Sequence, residues 1–179
     1  KLKFIKKIVL STDDLYFLNF DYGFNLVKIK RPQSLSTSKS SSVSAIKHIF
    51  KKLNSDNIKF KNVLLLQPTS PFRDLKIIYK GFKLFKQHKY SMSVISMSKT
   101  KNNFKRFFEL KNKKLVLSKA KSKNSLFQAN GNFYFASKKF ILENNSFFCK
   151  NKSLAFQIAN NKISIDIDTY RDYLKAAKY

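Results

Sequence analysis

Apolar residues along this chain switch between a two-residue and a helical period, and the switches mark its elements. Lys7–Ser11 (KIVLS) is a short apolar, β-branched run that ends in the polar turn Ser11-Thr12-Asp13-Asp14, so it reads as a buried strand. Asn25–Ile29 (NLVKI) reads as a second strand. Lys30–Ser44 is serine-rich, contains Pro32 and shows no period. It reads as a loop, of a length that more often serves function than filling. In Val43–Leu53, the residues Ile46, Ile49, Phe50 and Leu53 recur at helical spacing. Asn62–Leu66 (NVLLL) is the strongest strand signal, and the prolines of Gln67-Pro68-Thr69-Ser70-Pro71 stop it. Asp74 is placed to cap a helix whose Ile77, Ile78, Phe82 and Phe85 share a face. Ser91–Met97 (SMSVISM) reads as a strand, and Thr100–Leu117 as a hairpin excursion. Asn130-Gly131 reads as a turn, with a strand following over Asn132–Ala136. Ile163–Ile167 alternates apolar and polar positions and reads as the last strand. Thr169 and Asp172 then form a capping-box-like pair for a helix carrying Tyr170, Tyr173, Leu174 and Ala177 on one stripe.

No internal repeat or linker interrupts this pattern, so one domain is expected over residues 1–179. Strands alternating with helices predict an α/β fold, a mostly parallel sheet with helices on both faces. In such sheets ligands bind beyond the carboxyl ends of the strands. The polar clusters Ser11–Asp13, Gln67–Arg73 and Asp166–Thr169 all fall at predicted strand ends, which points to one shared site.

Composition adjusts this picture. A hydrophobic content of 43% supports a real core, and no apolar run approaches the ~18 residues of a spanning helix. The basic stretch Lys1–Lys7 is followed by no small-residue cleavage site, so no signal peptide is expected. Cys149 is the single cysteine, which forbids an internal disulfide and fits a reducing cytoplasm. The net charge of +27 invites a nucleic-acid reading. Against it, only four of the 37 basic residues are arginine (Arg31, Arg73, Arg106 and Arg171), whereas base readers rely on the arginine fork. The lysines are also spread along the whole chain, in company with excess Phe, Ile and Asn, as drift toward AT-rich codons would produce. The charge is therefore expected to cause nonspecific, salt-sensitive binding of polyanions, without a specific nucleic-acid partner.

Five groups of residues could carry chemistry. Asp166 and Asp168, two apart in a strand, would point to one face, where two carboxylates call for a cation or a proton between them. Mg²⁺ takes one or two carboxylates together with substrate phosphates, so the pair suits a metal–phosphate site; the competing reading is an exposed turn, slightly favoured by spacing alone. The prolines of Gln67–Arg73 would hold the Gln, Thr and Ser side chains in fixed directions, and Arg73 could fork onto a carboxylate or phosphate or simply face water. Arg31 lies in the serine-rich loop ahead of a helix, a setting for an anion or a base edge, or for a plain surface loop. His48 and His88 stand alone and read as ordinary packed or solvent-facing residues, and Cys149 beside Phe147 and Phe148 reads as a buried small hydrophobe. The Phe and Lys interleaved over Phe104–Phe108 suit a hairpin or subunit contact better than an RNA-stacking surface.

Taken in order, Ser11-Thr12-Asp13, Arg31-Pro32-x-x-Leu35, Leu66-Gln67-Pro68-Thr69-Ser70-Pro71-Phe72-Arg73, Asn130-Gly131-x-x-Tyr134 and Ile165-Asp166-Ile167-Asp168-Thr169 resemble the acylneuraminate cytidylyltransferases. These are the synthetases of CMP-sialic acid and of its pseudaminic and legionaminic relatives. The LQPTSPFR and IDIDT strings are the specific part. The resemblance implies a Rossmann-like nucleotide-diphospho-sugar transferase fold in a cytoplasmic, dimeric enzyme, with a dimerisation hairpin near residues 100–128. It implies a reaction in which the anomeric hydroxyl of a nine-carbon 2-keto-3-deoxy sugar acid attacks the α-phosphorus of CTP and pyrophosphate leaves. By the same resemblance Arg31, Ser40 and Ser42 face the CTP, Gln67, Arg73, Asn130 and Tyr134 line the sugar pocket, and Asp166 and Asp168 carry Mg²⁺ and act in catalysis.

Three departures stand out. The family opens with a strand and a Gly-rich loop that cradles the triphosphate, and this chain starts beyond that point, at Lys1; a fragment, or a truncated and inactive relative, is the expectation. An acidic residue of the family's polar loop is Ser38 here. The basic residue that grips the sugar carboxylate has three candidates, Lys119, Lys121 and Lys123, of which Lys121 is the middle one. The alternatives to this reading are a synthetase for the eight-carbon keto-deoxy acid (CMP-KDO) and a basic nucleic-acid-binding protein.

Overall fold

The computed structural model describes residues 2–100, 108–111, 113–117 and 126–179. The chain forms two compact units, Lys1–Phe60 and Lys61–Tyr179.

In the first unit, β1 (Val9–Thr12) and β2 (Val27–Lys30) pair in parallel, with Ser11 opposite Ile29 and Thr12 opposite Lys30. They lie one or two residues later than the apolar runs predict. Between them is α1 (Leu15–Asn19), a short helix that the sequence pattern does not announce because it buries no residue. It exists through its cap, in which the Asp14 carboxylate accepts from the Tyr16 amide at 2.8 Å. The serine-rich segment holds a 3-10 turn at Gln33–Leu35 and leads to α2 (Ser42–Ser55), capped by Ser41. Ala45, Ile46, Phe50 and Leu53 of α2 are buried at the predicted spacing.

The second unit is built on six strands: β3 (Asn62–Leu65), β4 (Ser93–Thr100), β5 (Phe108–Lys111), β6 (Lys114–Leu117), β7 (Leu126–Ser137) and β8 (Ser153–Gln157). Their order is β3-β7-β4-β8-β6-β5. The α/β class stands, and the sheet is mixed: β4 and β8 run parallel, while β7 is antiparallel to both β3 and β4. The hairpin expected after Thr100 is present as β5 and β6, which join the same sheet through Phe108↔Phe127 and Lys114↔Leu154. Helices α3 (Leu75–Gln87), α4 (Lys138–Asn144) and α5 (Tyr170–Ala176) complete the unit.

The core lies where α3 meets β4 and β7, with Ile78, Phe85, Val94, Phe133 and Phe135 all buried. Phe85 stacks on Phe135 at 5.7 Å, and Phe133 meets Phe156 edge-on at 5.3 Å. Gly81 lets α3 approach this closely, since a Cβ there would sit 2.6 Å from the Phe133 ring. Ala is a better helix former than Gly by about 1 kcal/mol, yet overpacking a full core costs about 1–3 kcal/mol. Gly81→Ala is therefore expected to lower stability, by about 1 kcal/mol net, and a rise in urea midpoint would show that Phe133 yields freely.

Two strand expectations are corrected. Asn130-Gly131 is not a turn between strands but lies inside β7, which runs unbroken from Leu126 to Ser137. Ile95 faces Tyr134 and Met97 faces Ala129, so a two-residue step on β4 meets a five-residue step on β7, and the surplus bulges. Serines of β4 repair the broken ladder: Ser96 Oγ accepts from the Phe133 amide at 2.9 Å, and Ser98 Oγ accepts from Asn130 Nδ2 at 2.7 Å. The second correction is Ile163–Ile167, which is not a strand. Its start folds into turns, with the Ser164 amide bonding to the Asn160 carbonyl at 3.0 Å, and its end hooks onto the proline loop. The β8 strand, which the pattern did not single out, takes the place next to β4.

Candidate active site

The β7 bulge is the foundation of the site. Gly131 takes φ +70°, a left-handed conformation that costs other residues steric strain. A Cβ there would lie 2.4 Å from Ser70 Oγ, 3.0 Å from Gln67 Oε1 and 3.2 Å from Asp166 Oδ1. Three polar side chains from two distant segments thus meet over one bare Cα.

Hydrogen bonds fix the proline loop to the bulge. The buried Ser70 hydroxyl donates to the Asn130 carbonyl at 2.9 Å and lies 3.4 Å from Asp166 Oδ1; with one proton to give, it serves the shorter contact. The Gln67 amide donates to the Gly131 carbonyl, and Asn132 Nδ2 donates to the carbonyls of Phe72 and Ile163. Arg73 uses its fork internally: Nη1 donates to the Asn132 carbonyl and Nη2 to the Gln67 carbonyl. Burial draws its pKa down, while Asp166 opposes that. Arg73 is thus a clamp between loop and bulge. Arg73→Lys keeps the charge but loses the planar fork, and is expected to cost about 1–3 kcal/mol in a denaturation measurement by leaving a part-buried carbonyl unpaired.

Asp166 and Asp168 reach this place by the hook, since the Ile167 amide donates to the Thr69 carbonyl at 2.8 Å. Burial pushes the Asp166 carboxyl above its ordinary range; Thr69 and Ser70 pull it back, and the neighbouring charge of Asp168 raises it further. Tyr134 follows the bulge on β7, and its phenol is pushed up to about 12 by burial first and by Asp166 second. Thr169 caps α5, bonding to the Asp172 carboxylate at 2.7 Å, and Asp172 in turn holds Lys175 at 2.9 Å.

These groups face a cleft of about 780 Å³. Asp166, Asp168, Thr169, Asp172 and Lys175 line its polar end, and Phe108, Phe147 and Phe148 its aromatic end. Tyr134 stands between the two: it is coupled to Asp166, and its ring centroid is 5.3 Å from that of Phe147. Phe148 packs on Phe108 at 4.7 Å.

Of the residues expected at the site, Asp166, Asp168 and Tyr134 line the cleft. Gln67, Arg73 and Asn130 gather at the bulge beneath it, and Asn130, 1% exposed, is a buried support. Lys121, with Lys119 and Lys123, lies outside the described residues. Arg31, Ser40 and Ser42 belong to the other unit. There Arg31 pairs with Asp13 at 3.4 Å. The Asp13 carboxyl is held below its usual range by its own backbone amide first, then by Ser36 and Arg31, against a counteracting desolvation. Ser40 Oγ bonds within its own turn, 2.9 Å from Thr37 Oγ1, and Ser42 is the first residue of α2. Ser70 belongs to the Gln67–Arg73 cluster that the sequence places at the site, whereas Asp172, Lys175 and the Phe147–Phe148 pair are not singled out for it by the sequence. The serine at every second or third place of the buried SMSVISMS strand was a signal for the bulge, because a buried hydroxyl needs a partner.

No protein-family model matches the chain. Among proteins of known role, it is 28% identical over 181 residues to N-acylneuraminate cytidylyltransferase of Escherichia coli O18:K1:H7, covering 94% of this chain and 40% of that one. It is 29% identical over 182 residues to CMP-N,N'-diacetyllegionaminic acid synthase of Legionella pneumophila, covering 97% of this chain and 77% of the relative. Post-translational flagellin modification protein B of Campylobacter coli is 24% identical over 180 residues, covering 96% of this chain and 75% of that protein. The chain thus spans well under half the length of the E. coli relative. Among solved structures, CMP:2-keto-3-deoxy-manno-octonic acid synthetase complexed with CTP superposes with a TM-score of 0.69 at 9% identity, over 98% of this chain and 83% of that one. HddC from Yersinia pseudotuberculosis follows with 0.61 at 18% identity, over 97% and 78%. The solved structures share this chain's fold, and its sequence is similar over most of its length to an N-acylneuraminate cytidylyltransferase and a CMP-N,N'-diacetyllegionaminic acid synthase.

Proposed function

We propose that the chain transfers CMP from CTP to the anomeric hydroxyl of a nine-carbon 2-keto-3-deoxy sugar acid. The new bond joins the sugar oxygen to the α-phosphorus, the bond to the β-phosphate oxygen breaks, pyrophosphate leaves, and the hydroxyl proton passes to solvent. The observation that carries this reading is the two-ended cleft, acidic at Asp166 and Asp168 and aromatic at Phe108, Phe147 and Phe148, in a chain similar in sequence to such enzymes.

The donor set fits Mg²⁺. Asp166 and Asp168 offer hard carboxylate oxygens, and burial together with their mutual repulsion leaves Asp166 in want of a cation. When bound there, Mg²⁺ would neutralise phosphate charge and polarise the α-phosphate. The protein's own part is positioning. The bulge, Ser70 and the Arg73 clamp hold the carboxylates on a stiff base, and Tyr134 and the Phe pair wall off water from the sugar side. Arg31, Ser40 and Ser42 are proposed to face the nucleotide. Assembly as a homodimer through the hairpin region belongs to the same proposal, and light scattering reads it.

The test is thermal unfolding of the chain with Mg²⁺, with CTP and with ATP as control, followed by pyrophosphate release with N-acetylneuraminate and its diacetylated relatives. A midpoint raised by CTP and not by ATP, with turnover of a sugar acid, supports the reading. Binding of neither nucleotide, or binding without base discrimination, overturns it.

A further inference from the structure

Helix α3 has two faces of opposite character. Ile78, Gly81 and Phe85 are buried, and their contacts with β4 and β7 fix how the helix is turned. On the far side Lys76, Lys80 and Lys83 recur at i, i+4 and i+7, and all three are exposed. They form a crest about 10 Å long. Leu75, Tyr79 and Lys86 flank the crest on one side, and Leu75 and Tyr79 are 53% and 45% exposed.

Nothing in the helix balances this charge. α3 contains no Asp or Glu, and the capping carboxylate of Asp74 accepts from the Lys76 amide at 2.7 Å. Among the described residues no ion pair reaches a lysine of α3. Lysines three and four apart repel one another, and Lys76 in the first turn also opposes the helix dipole. An anion laid along the crest relieves both effects.

We propose that this face of α3 docks on an anionic lipid bilayer, with its lysines over the headgroups and Leu75 and Tyr79 at their level. Lysine carries a point charge on a flexible stem, which suits a diffuse negative plane. Discrete carboxylates or phosphates favour the arginine fork, and α3 has no arginine. Lys83 Nζ lies 5.0 Å over the Tyr79 ring, so that face of the ring is taken and does not offer a nucleic-acid base a platform. An exposed leucine and tyrosine beside lysines is the mixture that settles at a membrane–water interface. A second copy is disfavoured as the occupant, because a chain of net charge +27 repels its own kind. The buried face already holds α3 in shape, so docking has little to order. The surface is independent of the reaction proposed for the cleft.

The test is co-sedimentation of the chain with phosphatidylcholine vesicles, with and without an equal part of phosphatidylserine, at physiological salt. Binding is expected to the anionic vesicles alone, and it should weaken as salt is raised. A lysine close to an anionic surface contributes about fivefold in affinity, so Lys76→Gln, Lys80→Gln and Lys83→Gln together should weaken binding about 100-fold. Gln forms helix about as well as Lys, so the urea midpoint of this triple variant should not fall. Arginine at the same three positions should keep the binding. The control removes equal charge from Lys51, Lys59 and Lys150, exposed lysines of separate segments, and should cost at most about fivefold. Equal losses in the two triple variants would mean that total charge acts without the crest, and would overturn the proposal. So would a wild-type chain that ignores the anionic vesicles. An α3 variant that still binds vesicles but loses a single-stranded oligonucleotide would overturn it in favour of nucleic acid.

Discussion

Gly131→Ala is expected to be the most damaging single change at the site, lowering stability by about 2–5 kcal/mol. Two costs add. A side chain at φ +70° carries the left-handed penalty of about 1–2 kcal/mol. The new Cβ would also stand 2.4 Å from Ser70 Oγ, and pushing that hydroxyl aside adds about 1–3 kcal/mol of overpacking. Ser70 cannot yield without losing its buried bond to the Asn130 carbonyl. Gly23 supplies the control. It has φ +65° but nothing within 4 Å of its would-be Cβ, so Gly23→Ala should show the conformational penalty alone. Chemical denaturation of both variants separates the two terms. If Gly131→Ala costs no more than Gly23→Ala, the convergence over Gly131 is not rigid. Turnover should fall about 100-fold or more in Gly131→Ala, because Gln67, Ser70 and Asp166 all shift when their common floor rises.

Asp166→Asn should separate activity from stability in opposite directions. The Asp166 carboxyl has its pKa raised in the folded protein, by burial first and by Asp168 in addition. The folded chain therefore holds that proton more tightly than the unfolded one. Its contribution to stability is greatest in acid, falls as pH climbs from 3.8 through the raised folded value, and is a net cost at neutral pH. Asn removes the charge and keeps an oxygen for Thr69. The group is only partly buried, so solvent screening limits the gain to about 1–3 °C in unfolding midpoint at pH 7. The gain should vanish toward pH 3.5, where the wild-type carboxyl is itself protonated. On the proposed role of Asp166 in holding Mg²⁺ against the phosphates, nucleotidyl transfer should by contrast drop about 100- to 1,000-fold. A lower midpoint at pH 7 would mean that the carboxylate supports the fold, and the site would need another account.

The parts of the fold legible in the sequence are those that depend on neighbours in the chain. Asp74 and Thr169 cap the helices they precede, and of the stripes that spacing picks out, Ile46, Phe50 and Leu53 of α2 and Ile78 and Phe85 of α3 are buried, with Ile49, Ile77 and Phe82 half-buried. What was not legible depends on partners far away. Asn130-Gly131 has the composition of a turn, and becomes a bulge because Ser96 and Ser98 on β4 supply the bonds that a turn would have made for itself. Ile163–Ile167 alternates like a strand, but the Thr69 carbonyl captures the Ile167 amide before any ladder can. The carboxylates therefore meet the proline loop, as expected, for a reason other than strand periodicity. Arg73 reads as a ligand-facing fork until the carbonyls of Gln67 and Asn132 are seen to occupy it. Lys175 gave no signal at all, as one lysine in a chain where lysine is everywhere.

The interruption between Ile95 and Met97 also gives the sheet a joint. On either side of it, β4 and β7 are zipped by main-chain bonds; at the joint, the Phe133 amide is held by a single hydroxyl. Native-state hydrogen exchange should find slow amides flanking a fast one there, because one side-chain bond opens without unzipping a ladder. The Ser70 and Arg73 bonds to the Asn130 and Asn132 carbonyls keep the two halves of β7 aligned, so that amide can open without the floor of the cleft moving.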